Sequence, residues 1–141
     1  MTTWERAIAF VLAAEGGYVA DDAGHGPSNF GINQAAHPGV DIKNLTRDQA
    51  IAIYKSDYWA PLGLDALEPS LAIAAFDTAV NMGTGRAQHY LAITGHWREL
   101  LAQRAHDYVT FENFGQYGQT WLTRVYALYL TCRKEEMSHA A

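Results

Sequence analysis

Apolar residues recur with helical spacing in six separate stretches of this chain, while glycine and proline gather between residues 19 and 45. That division constrains the fold more than any other feature. A helix with one apolar stripe must bury it against another element, and six such helices bury theirs against each other. The period-two alternation that makes half-buried strands is nearly absent. The expected class is mainly α: one helical domain with a loop-rich lobe near the N-terminus. At 141 residues and 49% hydrophobic content, the chain suits one core and is too short for two ordinary domains.

The first helix is expected from Thr3 to Glu15. Thr2 and Glu5 have capping-box spacing. Trp4, Ile8, Val11 and Leu12 make its stripe, and Glu15 continues that stripe instead of opposing it. A carboxyl at the end of a core-facing row is partly desolvated, and the helix C-terminus disfavours negative charge. Both effects favour a protonated acid. Gly16-Gly17 then supplies a stop. The segment from 19 to 45 reads as an ordered functional loop anchored by Tyr18, Phe30, Ile32 and Ile42, with one short extended piece at Phe30-Gly31-Ile32. Further helices are expected from Thr46 to about Tyr58, Pro69 to Met82, Arg86 to Ile93, Trp97 to Glu112 and Tyr117 to Glu135. A break is expected at Gly83-Thr84-Gly85, and the tail after Glu136 frays. The Pro69 helix is apolar over a broad face, which makes it the central one.

Several classes are excluded. The net charge is -5 and no basic run exceeds Arg133-Lys134, so the electrostatic footprint of a nucleic-acid reader is missing. No apolar run approaches the roughly 20 residues of a membrane span, and the short run from Ala7 to Ala14 lacks a basic leader and a cleavage site. The expectation is a chain made in the cytoplasm and released by another agent if it acts outside. The single cysteine, Cys132, rules out an internal disulfide and reads as a small buried hydrophobe. Six histidines show no metal-ligand spacing, so neither a metal nor another cofactor is expected.

The carboxylates around residues 15–22 suit one kind of chemistry. Cleaving a glycosidic bond takes a protonated carboxyl for the leaving oxygen and a second carboxylate to assist water, attack, or stabilise the ring charge. Glu15 suits the first role. Asp22 or Asp21, in a polar loop, suits the second. Ser28 can hold a water, since a hydroxyl both donates and accepts. Asn29 or Asn33 suits an acetamido or hydroxyl contact. Tyr18, Tyr54, Tyr58 and Trp59 can line a sugar groove, although helical spacing alone also assigns the last three to the core.

Glu15-Gly16-Gly17-Tyr18-Val19 and Asn29-Phe30-Gly31-Ile32 resemble the signature of glycoside hydrolase family 108, the N-acetylmuramidases of phage endolysins and secretion-associated bacterial enzymes. Leu45-Thr46 with Ala50, Ile53-Tyr54 and Tyr58-Trp59 is similar to the family's second helix. Phe76-Asp77-Thr78-Ala79-Val80-Asn81-Met82-Gly83 is similar to its buried helix, and Trp121-Leu122-Thr123-Arg124-Val125 to its closing helix. The blocks keep the family's order across nearly the whole chain.

The resemblance implies a lysozyme-like single muramidase domain over 1–141 that cleaves the β-1,4 bond between N-acetylmuramic acid and N-acetylglucosamine. Its partner would be peptidoglycan glycan strands, and the protein would act as a monomer without cofactor or stable membrane insertion. It would reach the periplasmic wall through a holin or a secretion partner. Glu15 matches the family's catalytic acid. The loop departs from the family's Asp-Pro-Gly-Gly-x-Thr: His25 splits the glycine pair and Ser28 replaces threonine, leaving Asp22 favoured over Asp21. Asp77 suits either a buried hydrogen-bonding role or a substrate contact, and Asn81 is the better groove residue. The wall-binding segment, about 84–137, is shortened relative to the family pattern. A lytic transglycosylase and a non-catalytic wall-binding module are the competing readings.

Overall fold

The computed structural model describes residues 1–140; the expected tail includes Ala141, which lies outside the described residues. Among the described residues six α-helices run in order: α1 (Thr3–Ala14), α2 (Arg47–Tyr54), α3 (Pro69–Met82), α4 (Thr84–Ile93), α5 (Trp97–Thr110) and α6 (Phe114–Ser138). Two short strands, β1 (Ser28–Asn29) and β2 (Ile32–Asn33), lie in the long segment between α1 and α2. The mainly α, lysozyme-like expectation holds, with the irregular lobe where glycine and proline concentrate.

Both capping boxes form. Thr2 Oγ1 accepts from the Glu5 amide while Glu5 accepts from the Thr2 amide, and Thr46 and Gln49 repeat the arrangement. Each satisfies two amides that a helix N-terminus leaves without partners. Glu68 caps α3 by accepting from the Ser70 and Leu71 amides, and Pro69 takes the first turn, where its missing N–H costs nothing.

Helix α3 is the centre of the molecule. Every residue from Ser70 to Ala79 is buried, and α1, α4, α5 and α6 all pack on it. Phe76 is met edge-on by Trp4, Trp59 and Tyr54, with ring centroids 5.4, 5.5 and 6.1 Å away. Edge-to-face contact sets the positive rim of one ring against the negative face of another. At the far end Ser70 Oγ donates to the Cys132 carbonyl at 2.7 Å, tying α3 to α6. Burial pushes the Cys132 thiol pKa up, which leaves it an inert packing group. Buried Glu135 accepts an ion pair from Arg6 at 3.0 Å and closes α6 onto α1.

The boundaries differ from expectation where backbone geometry overrides spacing. Helix α1 ends because Glu15 turns extended (φ -90, ψ 148), and neither Gly16 nor Gly17 takes a positive φ. Phe30-Gly31 is not an extended piece but the turn of a hairpin. Its φ values are 53 and 79, and the strands pair Ser28 with Asn33 and Asn29 with Ile32. Two consecutive positive φ values match the twist of a two-residue hairpin turn. Val19 bridges Ser28 from the other side. The second helix continues beyond Tyr54 as a π-turn over Lys55–Trp59, closed by the Ala60 amide donating to the Lys55 carbonyl. This wider turn places residues five apart nearly above one another, so Tyr54 and Trp59 both enter the core. Only Gly83 breaks the chain after α3; Thr84 and Gly85 already belong to α4. Phe114-Gly115 begins α6 instead of interrupting it.

Phe76→Ala should lower unfolding free energy by about 3–5 kcal/mol, the usual cost of deleting a buried aromatic ring. Urea denaturation measures it as a lower midpoint with an unchanged slope.

Candidate active site

Glu15 sits at the junction of α1 and the loop lobe, where the chain leaves the helix with extended backbone. Its side chain keeps 24% of its exposure, so it reaches solvent rather than lying wholly in the interior. Arg124 Nη1 donates to Glu15 Oε1 at 2.9 Å. The acid is therefore not an unpartnered carboxyl ending an apolar stripe; a guanidinium from α6 holds it. Oε2 has no hydrogen-bond partner among the described residues and is not enclosed.

Arg124 is held from behind by Asp77 on α3. Its Nη2 donates to Asp77 Oδ1 at 2.7 Å, and its Nε lies 3.2 and 3.3 Å from the two carboxylate oxygens. Asp77 also accepts from Arg104 Nη1 of α5 at 2.8 Å, with both side chains almost wholly buried. Burial works against a charge on Asp77, but Arg104 and Arg124 outweigh it and hold its carboxyl below the usual range. Burial likewise opposes the charge on Arg124, and Asp77 and Glu15 reverse that, raising its pKa above the ordinary value. Two arginines face two acids, so the buried charges balance. Charge-assisted bonds of this kind fix geometry as well as sign.

On its other side Glu15 meets the hairpin turn. A Cβ on Gly31 would lie 2.5 Å from the Tyr54 hydroxyl and 2.7 and 2.9 Å from Glu15 Cγ and Cδ. With φ +79 as well, this position accepts only glycine without strain. The Tyr54 hydroxyl donates to the Phe30 carbonyl at 2.7 Å and pins the turn against the acid. Burial, followed by the nearby Glu15 charge, raises the Tyr54 pKa, so the phenol keeps the proton it donates. Half-buried Tyr58 also feels Glu15: burial first, then Asp57 and Glu15, raise its pKa.

Three expected substrate contacts are corrected. Tyr54 is fully buried and holds the hairpin turn. Trp59 is 1% exposed, packs on Phe76, and spends its indole N–H on Asp65 at 2.9 Å. Asn29 is buried and donates to the Ile42 and Leu45 carbonyls. All three are structural, because side chains facing inward at these positions cannot meet a ligand. Tyr18 is 46% exposed and stays available. Asp21 and Asp22 are exposed on the loop between Val19 and Ser28, and the Asp22 main chain closes a turn with Gly26 and His25. Ser28 is 4% exposed, pairs through its backbone, and its hydroxyl makes no hydrogen bond among the described residues. Asn33 accepts from the Ala36 amide. Asn81 is half-buried and accepts from the Tyr108 hydroxyl. Asp77 takes the buried role of its two alternatives.

Sequence reading passed over Arg124, Arg104, Tyr108 and the close approach of Gly31. One signal was present. Arg124 stands at the core-facing register of α6, three residues after Trp121 and four before Leu128, and Arg104 stands likewise between Leu100 and Tyr108. An arginine on an apolar face needs a buried acid as its partner.

The site thus consists of a half-buried, arginine-held carboxyl beside a glycine-tight hairpin turn, set in a mainly α, lysozyme-like fold. Residues 8–83, more than half of the sequence, match the family model described as glycosyl hydrolase 108, and the chain belongs to that family. It is a glycoside hydrolase, and the family indicates a peptidoglycan-degrading enzyme of N-acetylmuramidase-like kind. Among solved structures, that of Brucella abortus SagA shares the fold, with TM-score 0.81 and 24% identity over 99% of this chain and 97% of that one. No curated protein matches. The family match ends at Gly83, so Arg124 and Arg104 come from outside it.

Gly31→Ala should displace the Glu15 side chain and lower glycan hydrolysis by roughly tenfold or more, since small misplacements of a reacting group are costly. The variant should still fold, with circular dichroism confirming its helix content. Asp77→Asn leaves two arginines without their shared acid and should cost about 3–5 kcal/mol at neutral pH. The folded Asp77 pKa lies below its unfolded value of about 3.9. Its stabilisation is therefore fully present above that value and disappears as pH falls through the folded one. Urea midpoints should decline more steeply below roughly pH 4 in the wild type than in Asp77→Asn.

Proposed function

We propose that this protein hydrolyses the β-1,4 bond between N-acetylmuramic acid and N-acetylglucosamine in peptidoglycan, with Glu15 as its acid. One observation carries the reading: Arg124 holds Oε1, while Oε2 has no partner among the described residues and is not enclosed. A carboxyl so arranged presents one oxygen in a fixed direction. When the C–O bond to the leaving sugar breaks, that oxygen gives its proton to the departing oxygen. Asp77 stays paired with Arg124 in either protonation state of Glu15, so Arg124 keeps a carboxylate partner when the proton moves. Asp22 is the second carboxylate and Ser28 holds the water beside it. Tyr18 and Asn81 contact the glycan.

In this reading the enzyme is a monomeric single-domain muramidase without a metal or other cofactor. The segment 84–137 contributes to wall binding as well as supplying Arg124. Its role is host lysis as a phage endolysin, with a holin or a secretion partner giving it access to the periplasmic wall. A lytic transglycosylase is the second reading, and one observation favours it. Of the candidate carboxylates only Glu15 is half-buried and ion-paired, while Asp21 and Asp22 are exposed with no side-chain partner among the described residues. Such an enzyme works with one acid and the sugar's own 6-hydroxyl.

Purified Gram-negative peptidoglycan digested by wild type and by Glu15→Gln, with products identified by mass spectrometry, tests the proposal. Reducing-end N-acetylmuramic acid from the wild type, with at least a hundredfold loss in the variant, is the expected result. Anhydro sugars would transfer the protein to the transglycosylases. Wall binding without soluble products would leave a non-catalytic module.

A further inference from the structure

The Phe30-Gly31 turn that crowds Glu15 belongs to a hairpin with two ties to the stretch from Tyr54 to Trp59. The first is the Tyr54 hydroxyl, which donates to the Phe30 carbonyl at 2.7 Å. The second runs through His37. Its Nδ1 lies 3.3 Å from the Asn33 carbonyl in β2, and its Nε2 lies 3.3 Å from Asp57 Oδ2 in the π-turn. The His37 amide donates to the same Asn33 carbonyl at 3.2 Å. Gln34 Nε2 donates to the His37, Pro38 and Val40 carbonyls, and Asn33 Oδ1 accepts from the Ala36 amide, so this segment holds together as one folded unit. Gly31 is thus flanked by two fastened residues, Phe30 before it and Asn33 after it.

The second tie depends on charge. Both imidazole nitrogens face oxygens that only accept, a carbonyl and a carboxylate, and a neutral imidazole has one N–H. In either neutral tautomer one lone pair therefore opposes an oxygen. The imidazolium donates on both sides. The His37 side chain is only 10% exposed, so little water reaches it to take over either contact. Among the titratable groups near the ring, Asp57 also accepts from the Ser56 hydroxyl at 2.8 Å, through its other oxygen. Tyr58 has its ring centroid 6.3 Å from that of His37. Burial, then Asp57 and Glu15, raise the Tyr58 pKa, so its phenol stays neutral. Lys55 of the same π-turn is spent over the Trp4 and Trp59 rings, and the segment from Asn33 to Val40 carries no other charged side chain. An imidazolium gains from the carboxylate and an imidazole does not. The tie is therefore complete at the acid end of the range from roughly pH 5 to 8, where histidines titrate, and is lost toward the alkaline end. The Tyr54 tie keeps its proton throughout.

We propose that His37 and Asp57 are positioning residues for Glu15: protonated His37 joins β2 to the π-turn, keeps Gly31 against the Glu15 side chain, and lets it loosen as pH rises. The catalytic consequence rests on the glycan-cleaving reading above. The tie itself is visible without substrate.

The test separates the two. Amide hydrogen exchange on the full chain, without substrate, is read at about pH 5.5 and about pH 8, toward the two ends of the imidazole range. The Gln34 amide, which donates to the Pro27 carbonyl at 2.9 Å, reports on the hairpin. Its protection is corrected for the intrinsic exchange rate and expressed as the ratio of the acid to the alkaline value. That ratio should be about threefold greater in wild type than in Asp57→Asn or His37→Gln, the scale of a partly exposed ion pair. Asp57 is half exposed, so Asp57→Asn keeps the test open if His37→Gln folds poorly. Initial rates on purified peptidoglycan, at saturating and limiting substrate, then follow the consequence. Wild type should exceed Asp57→Asn about threefold at the acid pH and match it at the alkaline one, in kcat rather than KM. A pair that only stabilised the fold would leave the kcat of folded enzyme unmoved. Equal protection ratios in wild type and the folded variants would overturn the inference, as would a protection difference with no matching change in the rate of an active enzyme. The protection difference in a protein that releases no product from peptidoglycan would uphold the pH-dependent tie and remove the hydrolase reading.

Discussion

The structure depends on one buried arrangement: Asp77 on α3, shared between Arg124 of α6 and Arg104 of α5. Three helices far apart in sequence meet at one carboxylate. Taking any of these charges from water is expensive, and the arrangement persists because each is answered by another at hydrogen-bond distance. Its consequence reaches the surface through Arg124, which extends a remaining nitrogen to Glu15. The interior of the molecule is thus connected to Glu15 by one side chain. A stable core and a fixed Glu15 carboxyl are two results of the same packing.

The loop lobe supplies the opposite wall. A hairpin turn with two positive φ values brings Gly31 against the Glu15 side chain, and Tyr54 holds that turn by its carbonyl. Tyr54 can do so because the π-turn after it rotates Trp59 into the same core, giving α2 two aromatic anchors against Phe76. Glu15 is thereby confined between an arginine on one side and a glycine on the other. Confinement of this kind leaves one carboxyl oxygen open in a defined direction, which the acid role proposed for Glu15 requires.

The helices were legible in the amino-acid order because they depend on local periodicity and caps. Thr2 with Glu5, Thr46 with Gln49 and Pro69 mark helix starts by their own chemistry. The place of Glu15 at the end of the first helix was legible for the same reason, but its Arg124 partner was not. The groove was not. Tyr54, Trp59 and Asn29 are of residue types that suit sugar binding equally well as they suit a core, and composition cannot tell which way a side chain points. The hairpin at Phe30-Gly31 was hidden as well, since a phenylalanine at positive φ runs against its own propensity and is held there by contact with Tyr54.

By itself the sequence determined the mainly α class, the positions of most helix starts, the central place of the Pro69–Met82 helix and the family resemblance. Each follows from spacing within a few residues of chain. Only the tertiary structure decided that Arg124, 109 residues from Glu15, holds its carboxylate, that Asp77 is the buried support of Arg124, and that Asn29 is consumed by the backbone. These are choices between partners distant in sequence. They are made by which faces pack together, and no local pattern carries that information.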